Sequence, residues 1–122
     1  MFLALVDANF PAQSVAANKP LVRMDGVAMK DAANAIFSVL PLDNFVAEPT
    51  FRMEVVDKPA VWTPVQLEFK SLAERHYGAT AVIGSLERFA FYEAARQSYA
   101  VVCTGDARAY GCFLIKKGVI FA

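Results

Sequence analysis

Phe2-Leu3-Ala4-Leu5-Val6-Asp7-Ala8-Asn9-Phe10-Pro11-Ala12 begins as an apolar run and stops abruptly at an acid. A short run rich in Val, Leu and Phe, bounded by Asp, Asn and Pro, reads as a buried strand entering a loop. Asp7 then falls at the strand's carboxyl end, with Asn9 just beyond it. Where helices flank a sheet, ligands collect outside the carboxyl ends of the strands. The plainer alternative is that Asp7 and Asn9 only shape a turn before Pro11, a task their short polar side chains perform well.

Working outward, Leu21–Met24 reads as a second strand closed by the turn pair Asp25-Gly26. Met29, Ala32, Ala33, Ile36, Phe37 and Leu40 keep helical spacing, so a helix is expected over 28–40, ended by Pro41. Residues 42–49 read as loop. Residues 51–56 read as a strand, with Arg52 and Glu54 on a solvated face. Thr63-Pro64-Val65-Gln66 carries a capping box with proline at the first helical position, opening a helix to about Tyr77 with Gly78 just past its end. A short strand is expected over 81–83, ending at Gly84, and Ser85 is placed to cap a helix over 86–97. Strands follow over 99–103 and 112–115, and a last short one over 118–121. No repeat or linker interrupts the order. Strands alternating with helices predict a single α/β domain with a mainly parallel sheet flanked by helices.

The 122 residues suit one domain with a modest core. Formal net charge is zero, which implies neither a nucleic-acid partner nor a membrane surface. No apolar run is long enough to span a bilayer, and the start lacks the basic residues of a signal peptide. Apolar residues make up 57%, high for a small soluble monomer. Either subunit contacts cover part of that surface, or the core is simply apolar-rich. Cys103 and Cys112 form no Cys-x-x-Cys pair and read as buried thiols of a reducing compartment, making a cytoplasmic location the default.

Three regions could carry chemistry. Arg88 falls in the first turn of its helix, where the positive end of the dipole costs a cation roughly 0.3–1 kcal/mol. It is held there for a ligand, or it pairs with Glu87 or a neighbour. Thr104-Gly105-Asp106-Ala107-Arg108-Ala109-Tyr110-Gly111 is a polar loop between apolar strands. Tyr110 offers a flat face and a hydroxyl, which suits a sugar; an ordinary hydrophilic turn fits the loop equally. His76, the only histidine, lies in a last helical turn and reads as structural or surface. It forms no metal cluster, and no nucleophile elbow or phosphate loop is present. Lys116-Lys117 reads as a solvated edge.

Asp7-Ala8-Asn9-Phe10-Pro11-Ala12, Arg88-Phe89-Ala90-Phe91-Tyr92-Glu93, and Thr104-Gly105-Asp106 leading to Tyr110-Gly111 and Lys116-Lys117-Gly118-Val119 together resemble the D-ribose pyranase and L-fucose mutarotase family along nearly the whole chain. The second stretch is similar to the fucose-type branch, which has Arg where the ribose-type branch has His. The resemblance implies a cofactor-free isomerase that forms homo-oligomeric rings, commonly decamers, with sites at subunit contacts. It places Asp7, Arg88, Tyr110, Gly111 and Cys112 at substrate-binding positions; with the family's histidine not among these residues, Asp7 is the obvious proton-transfer group.

Two departures stand out. Cys112 occupies the third position of the family's Tyr-Gly-Asn motif, and a thiol is a weak hydrogen-bond partner. The family's catalytic histidine belongs to a Gly-His-Gly-Asp loop that follows an N-terminal helix, just before the first strand. Neither is within these residues, and the expectation is that the natural chain carries both ahead of Phe2. The function implied is a monosaccharide mutarotase acting on L-fucose or a similar sugar. The alternatives are a non-catalytic monosaccharide-binding protein and a ribose-type pyranase.

Overall fold

A computed structural model describes residues 2–118. Its elements are β1 (Phe2–Val6), α1 (Ala12–Val15), β2 (Leu21–Met24), α2 (Met29–Val39), β3 (Thr50–Met53), α3 (Pro64–Tyr77), a 3-10 turn (Gly78–Thr80), β4 (Ile83–Leu86), α4 (Arg88–Arg96), β5 (Ala100–Thr104) and β6 (Phe113–Lys116). The six strands form one sheet in the order β2-β5-β1-β6-β3-β4. β1 runs parallel to β5, β2 to β5 and β3 to β4, whereas β6 runs against both of its neighbours. The expected α/β architecture, mainly parallel and flanked by helices, is the one found. Because β6 is reversed, its first residue lies at the same end of the sheet as the last residues of β1 and β3.

Successive side chains of a strand point to opposite faces, so β1 serves two apolar layers. Leu3 and Leu5 enter one, with Met29, Ala32 and Phe37 of α2 and Val65 and Phe69 of α3. Ala4 and Val6 enter the other, with Val15 of α1 and Phe91 and Ala95 of α4. The Phe69 ring stacks on Phe113, centroids 3.8 Å apart. Each fully buried Phe contributes about 1.5–3 kcal/mol of transfer free energy. The α3 start behaves as its sequence dictates: Thr63 Oγ1 accepts from Gln66 N–H at 3.4 Å, and Gln66 Oε1 accepts from Thr63 N–H at 3.1 Å.

Several expectations need correction. The short helix α1 was not foreseen, because four residues are too few to show a period. β3 ends at Met53, and Arg52 is buried rather than solvated, its guanidinium donating to the carbonyls of Pro59 and Val61. β4 extends to Leu86, because pairing from Thr50↔Ile83 to Met53↔Leu86 holds the chain extended past Ser85. Glu87 therefore caps α4, its carboxylate accepting from Ala90 N–H at 2.8 Å. Gly84 is required by close approach rather than by a strand end: a Cβ there would lie 2.7 Å from the Phe51 ring. Lys116 is half-buried beside Asp43 at 3.5 Å, leaving only Lys117 exposed.

The remaining readings are simpler. His76 is exposed and meets Asn34 Oδ1 at 2.8 Å. Cys103 and Cys112 are buried free thiols. Among the described residues no helix is long and apolar enough to cross a membrane. Of the strand expected at 118–121, Gly118 is not in a strand, and the other residues lie outside those described.

Candidate functional site

The carboxyl ends of β1 and β3, the start of β6 and the first turn of α4 meet around a recess of about 190 Å³. Asp7, Asn9, Phe10, Met53, Arg88, Tyr92, Tyr110 and Cys112 face it. Four of the five expected binding residues are thus brought together. The fifth, Gly111, stands behind the wall and gives its N–H to Asp7.

Asp7 is 3% exposed and fully engaged. Oδ1 accepts from Asn9 N–H at 2.9 Å, and Oδ2 accepts from Gly111 N–H at 3.1 Å and from the Cys112 thiol at 3.4 Å. Burial pushes its pKa up; the donors on Asn9, Cys112 and Gly111 pull it down, and burial wins. Cys112 therefore turns its sulfur toward the carboxylate. Burial and that neighbouring charge hold the thiol well above its ordinary pKa.

Arg88 is the first residue of α4 and is exposed. Among the described residues it makes no ion pair; its guanidinium lies 4.8 Å from the Phe89 ring. Glu87, the obvious partner, spends its carboxylate on the Ala90 N–H. A cation is thus kept at the positive end of a helix with no ion-paired carboxylate among the described residues. That decides against the paired alternative. Tyr92, four residues on, shares the same helix face and packs on Phe10 at 5.3 Å between centroids. The i, i+4 spacing from Arg88 was the sequence signal for Tyr92. Phe10 and Met53 had no such local signal.

Tyr110 has φ +65°, in the left-handed region that non-glycine residues seldom occupy. Its hydroxyl accepts from Val56 N–H at 3.3 Å and its carbonyl from Gln66 Nε2 at 3.1 Å. The loop before it is no ordinary hydrophilic turn. Thr104 and Asp106 are buried, and Thr104 Oγ1 donates to Val6 O at 2.9 Å. Asp106 accepts from the first N–H of α2, at Met29, at 3.0 Å, and from Arg108 Nη2 at 2.8 Å. Arg108 also reaches Glu68 at 2.5 Å. This guanidinium holds Asp106 far below the usual carboxylate range. Asn9 Nδ2 donates to Ala107 O at 2.9 Å and Ala8 N–H to Asp106 O at 2.8 Å, joining the two loops.

The recess combines a carboxyl with a raised pKa, a guanidinium with no ion pair among the described residues, phenolic hydroxyls and aromatic faces. These groups suit a small polyhydroxylated molecule. No cluster of three or more metal-ligating side chains occurs among the described residues.

The sequence profile of the RbsD / FucU transport protein family matches residues 2–120, and the chain belongs to that family. It is 38% identical to human fucose mutarotase over 122 residues, covering 97% of this chain and 79% of that protein. The crystal structure of FucU from Bifidobacterium longum superposes with a TM-score of 0.90 at 43% identity, covering 98% of this chain and 85% of the other. Fucose mutarotase from Streptococcus pneumoniae in complex with L-fucose superposes with a TM-score of 0.88 at 34% identity, covering 98% and 84%.

Proposed function

We propose that the chain is a monosaccharide mutarotase that interconverts the anomers of L-fucose or a closely similar sugar. The observation that carries this reading is the Arg88 guanidinium, without an ion pair among the described residues, facing the same recess as Asp7 and Tyr110. Likeness to fucose mutarotases, one of them bound to L-fucose, supports the choice of sugar.

Mutarotation needs few parts. A base takes the proton of the anomeric hydroxyl while an acid protonates the ring oxygen. The aldehyde end rotates and the ring recloses from its other face. Positioned proton transfer is worth typically 10²–10⁴-fold. Asp7 is the proton carrier in this reading, its raised pKa bringing it closer to working pH. Arg88 and Tyr110 hold hydroxyls and fix the pose. Gly111 and Cys112 shape the wall from behind through Asp7. Family resemblance assigns the complementary proton carrier to a histidine ahead of β1. Val39 and Phe89, 80% and 65% exposed, supply apolar surface for a ring of identical subunits. Two buried free thiols accord with a cytoplasmic location.

A second reading has its own support. Both Asp7 oxygens already accept protein donors, which favours a carboxylate that shapes a binding site without moving protons. Saturation transfer between the α and β anomer signals of L-fucose separates the two. It should be run on the chain with any residues preceding Met1, and with D-ribose pyran–furan exchange alongside. Accelerated fucose exchange is expected. Binding without acceleration would favour the non-catalytic sugar-binding protein, and preference for ribose the pyranase.

A further inference from the structure

We propose that Gln66 is a positioning residue for the sugar recess, holding Tyr110 in its left-handed backbone conformation. The inference rests on the mutarotase reading for its kinetic consequences, though not for its structural core. As a capping residue, Gln66 needs only its Oε1, which accepts from Thr63 N–H. Its other end is turned inward. Nε2 donates to Met53 O at 2.7 Å and to Tyr110 O at 3.1 Å, both residues facing the recess. Gln66 is wholly buried, so these two donors have no water to turn to.

Tyr110 needs such a restraint. A left-handed bulky residue persists only where its surroundings over-determine it. Released, the backbone would return toward ordinary φ and carry the ring out of the recess. Gln66 also fixes the facing wall, since one amide ties the end of β3 to the start of the Tyr110-Gly111-Cys112 segment. Arg52 supports the amide from behind: Nη1 lies 3.4 Å from Gln66 Oε1, and the guanidinium packs 4.4 Å over the Trp62 ring. Arg52 Nε finds no partner among the described residues, so Arg52 is held by its other nitrogens and by that ring.

Gln66→Glu tests the donor end, because it keeps size and the acceptor but presents oxygen to two carbonyls. Thr63→Ala is the comparator: it removes the other half of the capping box and leaves the Gln66 side chain in place. For L-fucose, Gln66→Glu is expected to raise KM by roughly five- to tenfold, the effect of losing about one hydrogen bond's worth of positioning. Thr63→Ala should leave KM unchanged while lowering the melting temperature, as loss of a helix cap does. Equal KM values for the two variants would overturn the proposal and leave Gln66 a cap. Amide NMR gives a readout independent of sugar: Tyr110 and Gly111 signals should move in Gln66→Glu and stay in Thr63→Ala. If the wild type neither binds nor converts fucose, the mutarotase reading fails, and the NMR comparison still decides this one. Should Gln66→Glu not fold, wild-type hydrogen exchange decides: both Gln66 side-chain amide protons should be strongly protected, and fast exchange would overturn the proposal.

Discussion

Asp7 and Asp106 are two buried aspartates on adjoining loops, 3% and 6% exposed, and each accepts several donors. Their environments differ in one respect. Asp106 has the Arg108 guanidinium against it, and its pKa is driven far down. Among the described residues Asp7 has only neutral donors, and burial carries its pKa up. A buried carboxylate with a cation is a fastener; one without binds its proton more tightly, as the proposed proton carrier requires. Neighbouring positions on one scaffold thus shift the same side chain's pKa in opposite directions.

The largest expected effect breaks the comparison at Asp7. Asp7→Asn should cut anomer exchange by about 10²–10⁴-fold, with sugar affinity falling far less, as read by saturation transfer and calorimetry. Some stability is lost too, because an amide offers one oxygen where Asp7 accepts from both Asn9 and Gly111. Equal losses in exchange and affinity would leave Asp7 a binding residue.

Next comes the fastener. Asp106→Ala should destabilise the fold by about 2–3 kcal/mol, the cost of removing charge-assisted bonds to Arg108 and the acceptor at the α2 start. Urea denaturation measures it. A smaller effect is expected of Arg88→Ala: affinity falls about tenfold, near the lower limit for a hydrogen bond to a charged group. Stability should hold or rise slightly, because a cation leaves the positive end of α4. An unfolded variant would make Arg88 structural.

The subtlest test uses pH. The Asp106 pKa is depressed, so its contribution is present above the unfolded-state pKa and is lost as pH falls toward the folded one. The Asp7 pKa is raised, so its contribution is complete below the unfolded pKa of about 3.8 and is lost as pH rises through the folded value. The stability gap between wild type and Asp7→Asn should therefore narrow from pH 4 toward neutrality. That between wild type and Asp106→Ala should widen. Parallel pH curves for the two variants would erase the distinction.

Legibility in the sequence followed the range of each signal. β1, β2 and the α3 capping box depend on neighbouring residues, and their positions were readable. Ser85 resembled a cap, but β3 pairing, set by residues more than thirty positions earlier, kept it in a strand. Arg52 alternated like a solvated residue, yet α3 and carbonyls of the following loop enclose it. Asp7, Arg88 and Tyr110 stood out as candidates from strand end, helix dipole and loop chemistry, whereas Gly111 and Cys112 were reached by family resemblance alone. The neutral setting of Asp7 and the inward half of Gln66 were not readable, because each is made by residues distant along the chain.

The position of β1 bears on how the chain comes to fold. Of the described strands β1 is made first and lies between β5 and β6, which are made last. Until residues 100–116 are available, an apolar strand has neither neighbour, and both of its edges lack partners. Pairing across such a sequence span is slow, since loop closure precedes the gain from contact. Unpaired edges of this kind invite association between chains. A chain stopped before β5 would lose more than the Tyr110 wall: its central strand would be left open to other copies of itself.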